Sequence, residues 1–314
     1  MYEQITSNKR KSYALMAGFL VLYGIIAWAL SLWLGPMAVY IVGGIAIFMV
    51  ITTLFMGDDM AVMVAGGKKI ERKEDAPELW RMVENLAIVA GQPMPRLYIS
   101  PDPSPNAFAA GRTSKQALIC VNQGILEVLD DQELNGVLAH EMSHIKNLDV
   151  RLMTYAAVLA GSIALISQII LHGLFFLGDD DNNPLAIVGV LLTAILAPIA
   201  ATIIQLSISR KREYVADASG AELTRYPQGL ASALAQISGE MKPSAREESA
   251  IAHMMIAPQI RNSGKPSKLF STHPPTEDRI ARLLEMSGGI SHRHDRPVVE
   301  TFTTPFTGPR SAVA

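Results

Sequence analysis

The sequence predicts a mainly helical α+β protein, with four membrane-crossing helices in two hairpins and a compact domain built around a small β-sheet. Three observations carry this expectation. Four uncharged apolar runs of about 20 to 26 residues interrupt an otherwise mixed chain, each long enough to cross a bilayer as a helix. Two short segments rich in β-branched and aromatic residues, Arg96 to Ser100 and Ala117 to Val121, lie between the second and third runs. A His-Glu-x-x-His pattern, His140 to His144, directly precedes the third run on a stretch with helical spacing.

Composition narrows the class. Apolar residues make up 49% of 314 residues, concentrated in those blocks rather than spread evenly. The net charge of −2 carries no basic footprint, which excludes a nucleic-acid partner on electrostatic grounds. A single cysteine, Cys120, excludes an internal disulfide and a thiolate metal cluster. It sits in an apolar run and is expected to be a small core residue.

Residues 1–56 are expected to form an N-terminal membrane hairpin. Lys9-Arg10-Lys11 precede the run Tyr13 to Leu34, Gly35-Pro36 marks a tight turn, and Met37 to Met56 form the second run. Ala27-Trp28-Ala29 has the form of a signal-peptidase site. The run is too long for a signal peptide, and a second run follows at once. Lys68, Lys69, Arg72 and Lys73 follow the hairpin, and the turn carries no basic residue. The positive-inside rule therefore places the N-terminus and the following domain in the cytoplasm.

Residues 57–75 read as a linker and 76–286 as the catalytic domain. Pro77 opens an amphipathic helix with Leu79, Val83 and Leu86 on one side. Arg96 to Ser100 is a strand, Pro101 to Ala110 a loop or second strand, and Ala117 to Val121 a further strand. Asp130-Asp131-Gln132-Glu133 supply the cap and acidic first turn of the next helix. A second membrane hairpin, 152–206, interrupts the domain. It comprises Leu152 to Leu177, an acidic turn from Gly178 to Pro184, and Leu185 to Leu206, with Arg210-Lys211-Arg212 following. The alternative is an apolar hairpin buried in a soluble domain. Thr276 to Met286 is a last amphipathic helix, and 287–314, rich in Gly, Pro, Ser and Thr, is expected to be a disordered tail.

The chemistry is expected at His140-Glu141-Met142-Ser143-His144. Positions four apart share a helix face, so both imidazoles can reach one metal, and Glu141 stands beside them as a carboxylate general base. This is the zincin arrangement, which needs a third protein ligand. Glu213, in Ser209-Arg210-Lys211-Arg212-Glu213-Tyr214-Val215-Ala216-Asp217, is the best candidate. Asp217 lies one turn on, where it can accept a hydrogen bond from a ligand histidine. The alternative on spacing alone is that both acids only pair with the adjacent arginines.

Together, His140-Glu141-x-x-His144 and Arg210-x-x-Glu213-x-x-Ala216-Asp217 resemble the M48 family of membrane zinc metalloproteases, and its bacterial branch in particular. Pro105 to Gly111 and Phe270-Ser271-Thr272-His273-Pro274-Pro275-Thr276 to Ile280 resemble further segments of that family. The resemblance spans roughly residues 10 to 286. It implies one Zn2+ per chain bound by His140, His144 and Glu213, with Glu141 as catalytic base and Asp217 behind the ligands. It also implies a multi-pass protein of the bacterial inner membrane with a cytoplasmic site. The implied partners are unfolded or damaged membrane-protein substrates, the bilayer, and other quality-control proteases. Asn106, Ala107, Phe108 and Ala109 would hold an extended substrate by backbone pairing, or form an ordinary core loop. His273 would stabilise the developing oxyanion, or anchor the final helix. Arg279 would pair with an active-site acid. The alternatives are a processing peptidase for lipidated C-termini and a metal-stabilised membrane chaperone without turnover. A base at Glu141 discriminates against the latter, because a structural site needs ligands only.

Overall fold

The computed structural model describes residues 2–177, 209–239 and 274–287, together with 195, 196, 199, 202, 203, 254 and 256. The acidic turn, most of the fourth apolar run, the segment before residue 274, His273 and the tail lie outside the described residues.

Two long helices open the chain, α1 (Tyr2–Leu34) and α2 (Met37–Ala65). Their windows Ile5–Trp28 and Val39–Ala65 are long and apolar enough to cross a membrane. In α2 only 11% of the apolar window is buried, and Tyr40, Ile41, Phe48 and Phe55 are all exposed. A helix whose residues 37–56 carry no charge and that much bare hydrocarbon suits lipid better than water. The linker reading of 57–65 is corrected: these residues are the last turns of α2, which ends only at Gly66 in a left-handed cap. The acids within it, Asp58 and Asp59, both meet a partner. Asp58 is buried and pairs with Arg96, and Asp59 lies 2.8 Å from the same guanidinium.

The sheet has four strands in the order β1-β2-β4-β3, with β1 (Lys68–Lys69), β2 (Arg96–Ser100), β3 (Ala107–Ala110) and β4 (Leu118–Asn122). β2 and β4 are parallel, while β1 and β3 pair antiparallel at the two edges. Both faces of the sheet are covered, which explains why β4 reads as a continuous apolar run instead of an alternating one. Leu97, Ala107, Ala109, Ile119 and Val121 face a core made with α3 (Pro77–Ala90) and α5 (Asp131–Lys146). Tyr98, Phe108, Ala110, Leu118 and Cys120 face Ala61, Val62 and Ala65 of α2, and Met153 and Ala157 of α6 (Asp149–Leu177). Cys120 is the expected small core residue.

A short helix, α4 (Gln123–Val128), leads into α5. α5 opens with a full capping box: Asp130 accepts from the amides of Gln132 and Glu133, and Glu133 accepts from the amide of Asp130. The first half of α6, the third apolar run, is interior. Tyr155, Ala156, Leu159 and Ile163 pack with Met16, Phe19 and Tyr23 of α1, and Leu196 and Ile203 of the fourth run join this cluster. Helices α7 (Arg210–Thr224) and α8 (Pro227–Gly239) pack on α5, and α9 (Thr276–Met286) packs on α8 and α7.

Gly136 lets α8 approach α5. A Cβ there would meet the Leu230 backbone nitrogen at 2.6 Å. Gly136→Ala is expected to overpack this contact and destabilise the domain by about 1–3 kcal/mol. Thermal unfolding in detergent checks it, and an unchanged Tm would show that α8 slides freely.

Candidate metal centre

α5 presents the motif from inside the protein. His140, Glu141 and His144 are each at most 3% exposed, unlike the surface helix on which such residues are ordinarily found. α7 lies directly across from them because Gly220 has no side chain: a Cβ there would sit 3.0 Å from the His140 amide nitrogen. That close approach delivers Glu213 and Asp217, both buried.

His140 Nε2 and His144 Nε2 face each other at 3.1 Å. Glu213 Oε2 lies 3.8 Å from the first, and Glu213 Oε1 lies 3.6 Å from the second. All three side chains offer a ligand atom within 4.8 Å of one another. Two ligands at ~2.1 Å from a tetrahedral ion stand about 3.4 Å apart, so the spacing fits one zinc-sized cation. The far sides of both rings are held. His140 Nδ1 is 2.9 Å from Asp217 Oδ1, and His144 Nδ1 is 3.1 Å from Asp149 Oδ2. Each Nδ1 thus faces a buried carboxylate, an arrangement that in a neutral imidazole favours the proton on Nδ1 and leaves Nε2 able to bind a cation.

The electrostatics agree. Burial pushes the His140 imidazole below its ordinary range despite the pull of Asp217. Burial would lower His144 too, but the Asp149 hydrogen bond and the charges of Glu213, Asp149 and Glu141 outweigh it and raise it to about 9. Burial also pushes Glu141 up to about 8, against the pull of His144 and a hydrogen bond from the Ala109 backbone. A carboxylate with that proton affinity suits a general base near neutral pH.

The family comparisons follow this geometry. The profile of peptidase family M48 matches residues 73–287. The chain belongs to peptidase family M48. A protease HtpX homolog of Tropheryma whipplei (strain Twist) is 44% identical over 290 residues, 91% of this chain and 98% of that relative. One from Dictyoglomus thermophilum is 42% identical, over 91% of this chain and 94% of its own. The crystal structure of S. mikatae Ste24p aligns over 90% of this chain and 67% of its own, at 19% identity and a TM-score of 0.46. As an M48 member this chain is a membrane metalloendopeptidase.

Within this M48 site the structure brings together His140, Glu141, His144, Glu213 and Asp217. It also places the buried Ala109 against Glu141, whose carboxylate its backbone amide bonds. Asn106 and Phe108 point elsewhere. Asn106 is buried, its Oδ1 accepting from Ala107 N at 3.1 Å, and Phe108 fills the core behind the sheet. Ala107 and Ala109 alone turn backbone groups to the outer edge of β3, where Ala107 O accepts from Ile256 N at 3.2 Å. Arg279 grips Asp217 with two bonds, Nε to Oδ2 at 2.9 Å and Nη2 to Oδ1 at 2.7 Å, and donates to Ile256 O at 2.9 Å. Asp149 was not singled out by sequence reasoning. Its signal, an acid five residues after His144, falls beyond the end of α5, where helical spacing no longer applies. The backbone turns at Leu148, at φ 56°, and carries Asp149 back to the histidine.

Arg279 and Asp217 form a buried pair, each at most 3% exposed. Removing one partner leaves an uncompensated charge, so Arg279→Met is expected to destabilise the domain by about 3–5 kcal/mol. Denaturant unfolding measures this, and a loss below about 1 kcal/mol would show that water or another cation replaces the guanidinium.

Proposed function

We propose that this M48 peptidase is a zinc-dependent endopeptidase that cuts misfolded or damaged membrane proteins beside the bilayer, with His140, His144 and Glu213 holding one Zn2+. The observation that carries the reading is the convergence of two buried Nε2 atoms and a carboxylate at tetrahedral spacing, with a further buried carboxylate, Glu141, next to them. Bound there, zinc supplies Lewis acidity that polarises a peptide carbonyl and brings a water's pKa near neutrality.

The chain's own groups do the remainder. Asp217 and Asp149 keep each imidazole in the tautomer that points Nε2 inward. Glu141 accepts the proton of the attacking water on its carboxylate and returns it to the leaving amine nitrogen. The outer edge of β3 pairs with an extended substrate through the backbone of Ala107 and Ala109, which sets the scissile bond next to Glu141. Backbone pairing reads no side chains, which suits substrates defined by being unfolded instead of by sequence.

The quality-control assignment and the topology belong to this proposal. Four spans with N-terminus and domain on the cytoplasmic side of a bacterial inner membrane agree with the exposed hydrocarbon of α2 and the basic residues that flank both hairpins. Reporter fusions to the 35–36 and 178–184 turns are expected to report the outer side. A cytoplasmic signal from either turn would refute this arrangement.

Glu141→Gln is expected to lower cleavage of an unfolded model membrane protein by about 10²–10⁴-fold while one zinc stays bound per chain. Peptide-bond cleavage and metal content are read on the same detergent-purified sample. Equal cleavage by both proteins would assign the proton transfer to another group.

A further inference from the structure

Asn8 lies in the first turns of α1, yet its side chain is buried and committed to the metal centre. Its Nδ2 donates to Asp149 Oδ1 at 2.7 Å and to Asn147 O at 3.2 Å. Its Oδ1 accepts from Arg212 Nη1 at 3.2 Å. The other oxygen of Asp149 is the one 3.1 Å from His144 Nδ1. Arg212 immediately precedes Glu213, and its Nε lies 3.9 Å from Asp149 Oδ1. One carboxamide thus ties the partner of His144, on α6, to the residue that precedes Glu213, on α7.

The chemistry of the position selects an amide. A carboxamide offers donor and acceptor in one plane, so it can give to Asp149 and receive from Arg212 at once. A carboxylate would set like charge against Asp149. A hydrocarbon of the same size would remove a donor from a buried, ionised oxygen, the costly way to break such a bond.

We propose that Asn8 is a positioning residue of the metal centre: through Asp149 and Arg212, the first membrane helix sets the orientation of His144 and the approach of Glu213. This rests on the zinc reading given above. It makes α1 part of the metal-binding unit, so a chain in which α1 is unseated binds metal more weakly even though all three ligands are intact.

The test uses the full chain in detergent. The zinc dissociation constant is measured by chelator competition, the visible absorption of the Co2+-substituted protein reports ligand geometry, and Tm of the metal-free protein reports folding. Asn8→Leu and Asn8→Asp are each expected to weaken zinc about 10-fold and to shift the cobalt bands. Asn8→Gln keeps donor and acceptor in one amide and leaves Asp149 intact, and is expected to lose less zinc affinity than Asn8→Asp. Phe19→Leu loosens α1 against α6 away from Asn8, and is expected to lower Tm with zinc affinity and cobalt bands unchanged.

Wild-type zinc affinity and cobalt bands in both Asn8→Leu and Asn8→Asp would overturn the proposal. So would an equal loss in Phe19→Leu, which would assign the effect to seating of α1 in general. Should Asn8→Leu fail to fold, Asn8→Asp decides: wild-type zinc affinity and cobalt bands there overturn the proposal. A parent protein that binds no zinc would refute the metal reading and this inference with it. A parent that binds zinc beside unaltered variants removes Asn8 alone.

Discussion

The Nε2 atoms of His140 and His144 point at each other across 3.1 Å inside a site that water barely reaches. Two imidazoles do not hold that pose unaided, because their lone pairs repel and burial offers no solvent to relieve them. The surrounding structure supplies the restraint. The capping box fixes where α5 begins and hence the phase of its buried face. Gly136 and Gly220 let α8 and α7 come to backbone contact with α5. Asp217, gripped by Arg279, and Asp149, reached by the turn at Leu148, hold the rings from behind. Each restraint comes from a different part of the chain, so the site forms only when the whole domain has folded.

Much of this was legible in the sequence because the relevant signals are local. The cap at Asp130, the helical spacing of the motif, the strands around Leu97 and Ile119, and the turn at Gly35-Pro36 are all encoded within a few residues of where they act. Glu213 was legible for a different reason, since its pattern with Asp217 lies on a single helix. What escaped was set by tertiary geometry. Asp149 works across a non-helical corner. Asn8 acts from the far end of the chain, and no periodicity links residues so far apart, whereas the pairing of Arg279 with an active-site acid was expected from the family resemblance and is seen at Asp217. Of the four residues of the proposed substrate edge, the alternation of a strand divides Ala107 and Ala109 from Phe108, but only the observed register says which pair faces the site.

The sheet explains how a small domain lives on a membrane anchor. Its inner face completes the core with α3 and α5, and its outer face is covered by α2 and α6. The anchor is therefore the second wall of the catalytic domain, not an appendage to it. Such a sheet cannot exist in its observed form without α2 and α6. The backbone hydrogen bond from Gly111 to Thr154 of α6, at 3.1 Å, and that from the Ser100 hydroxyl to Ala65 O of α2, at 2.6 Å, fasten its strands to both.

The helical continuation of α2 through residues 57–65 replaces what the sequence suggested was a tether. A tether forgives changes of length, because slack is taken up by loose backbone. A continuous helix does not: each residue advances the chain by about 1.5 Å and turns it by about 100°. One residue more or less between Phe55 and Asp58 would rotate Asp58 away from Arg96, and would swing Ala61, Val62 and Ala65 off the sheet while the lipid-facing half stayed in place. The join between anchor and enzyme is thus indexed like a gear tooth. Its composition can drift, but its residue count is locked to the angular position of the catalytic domain over the membrane.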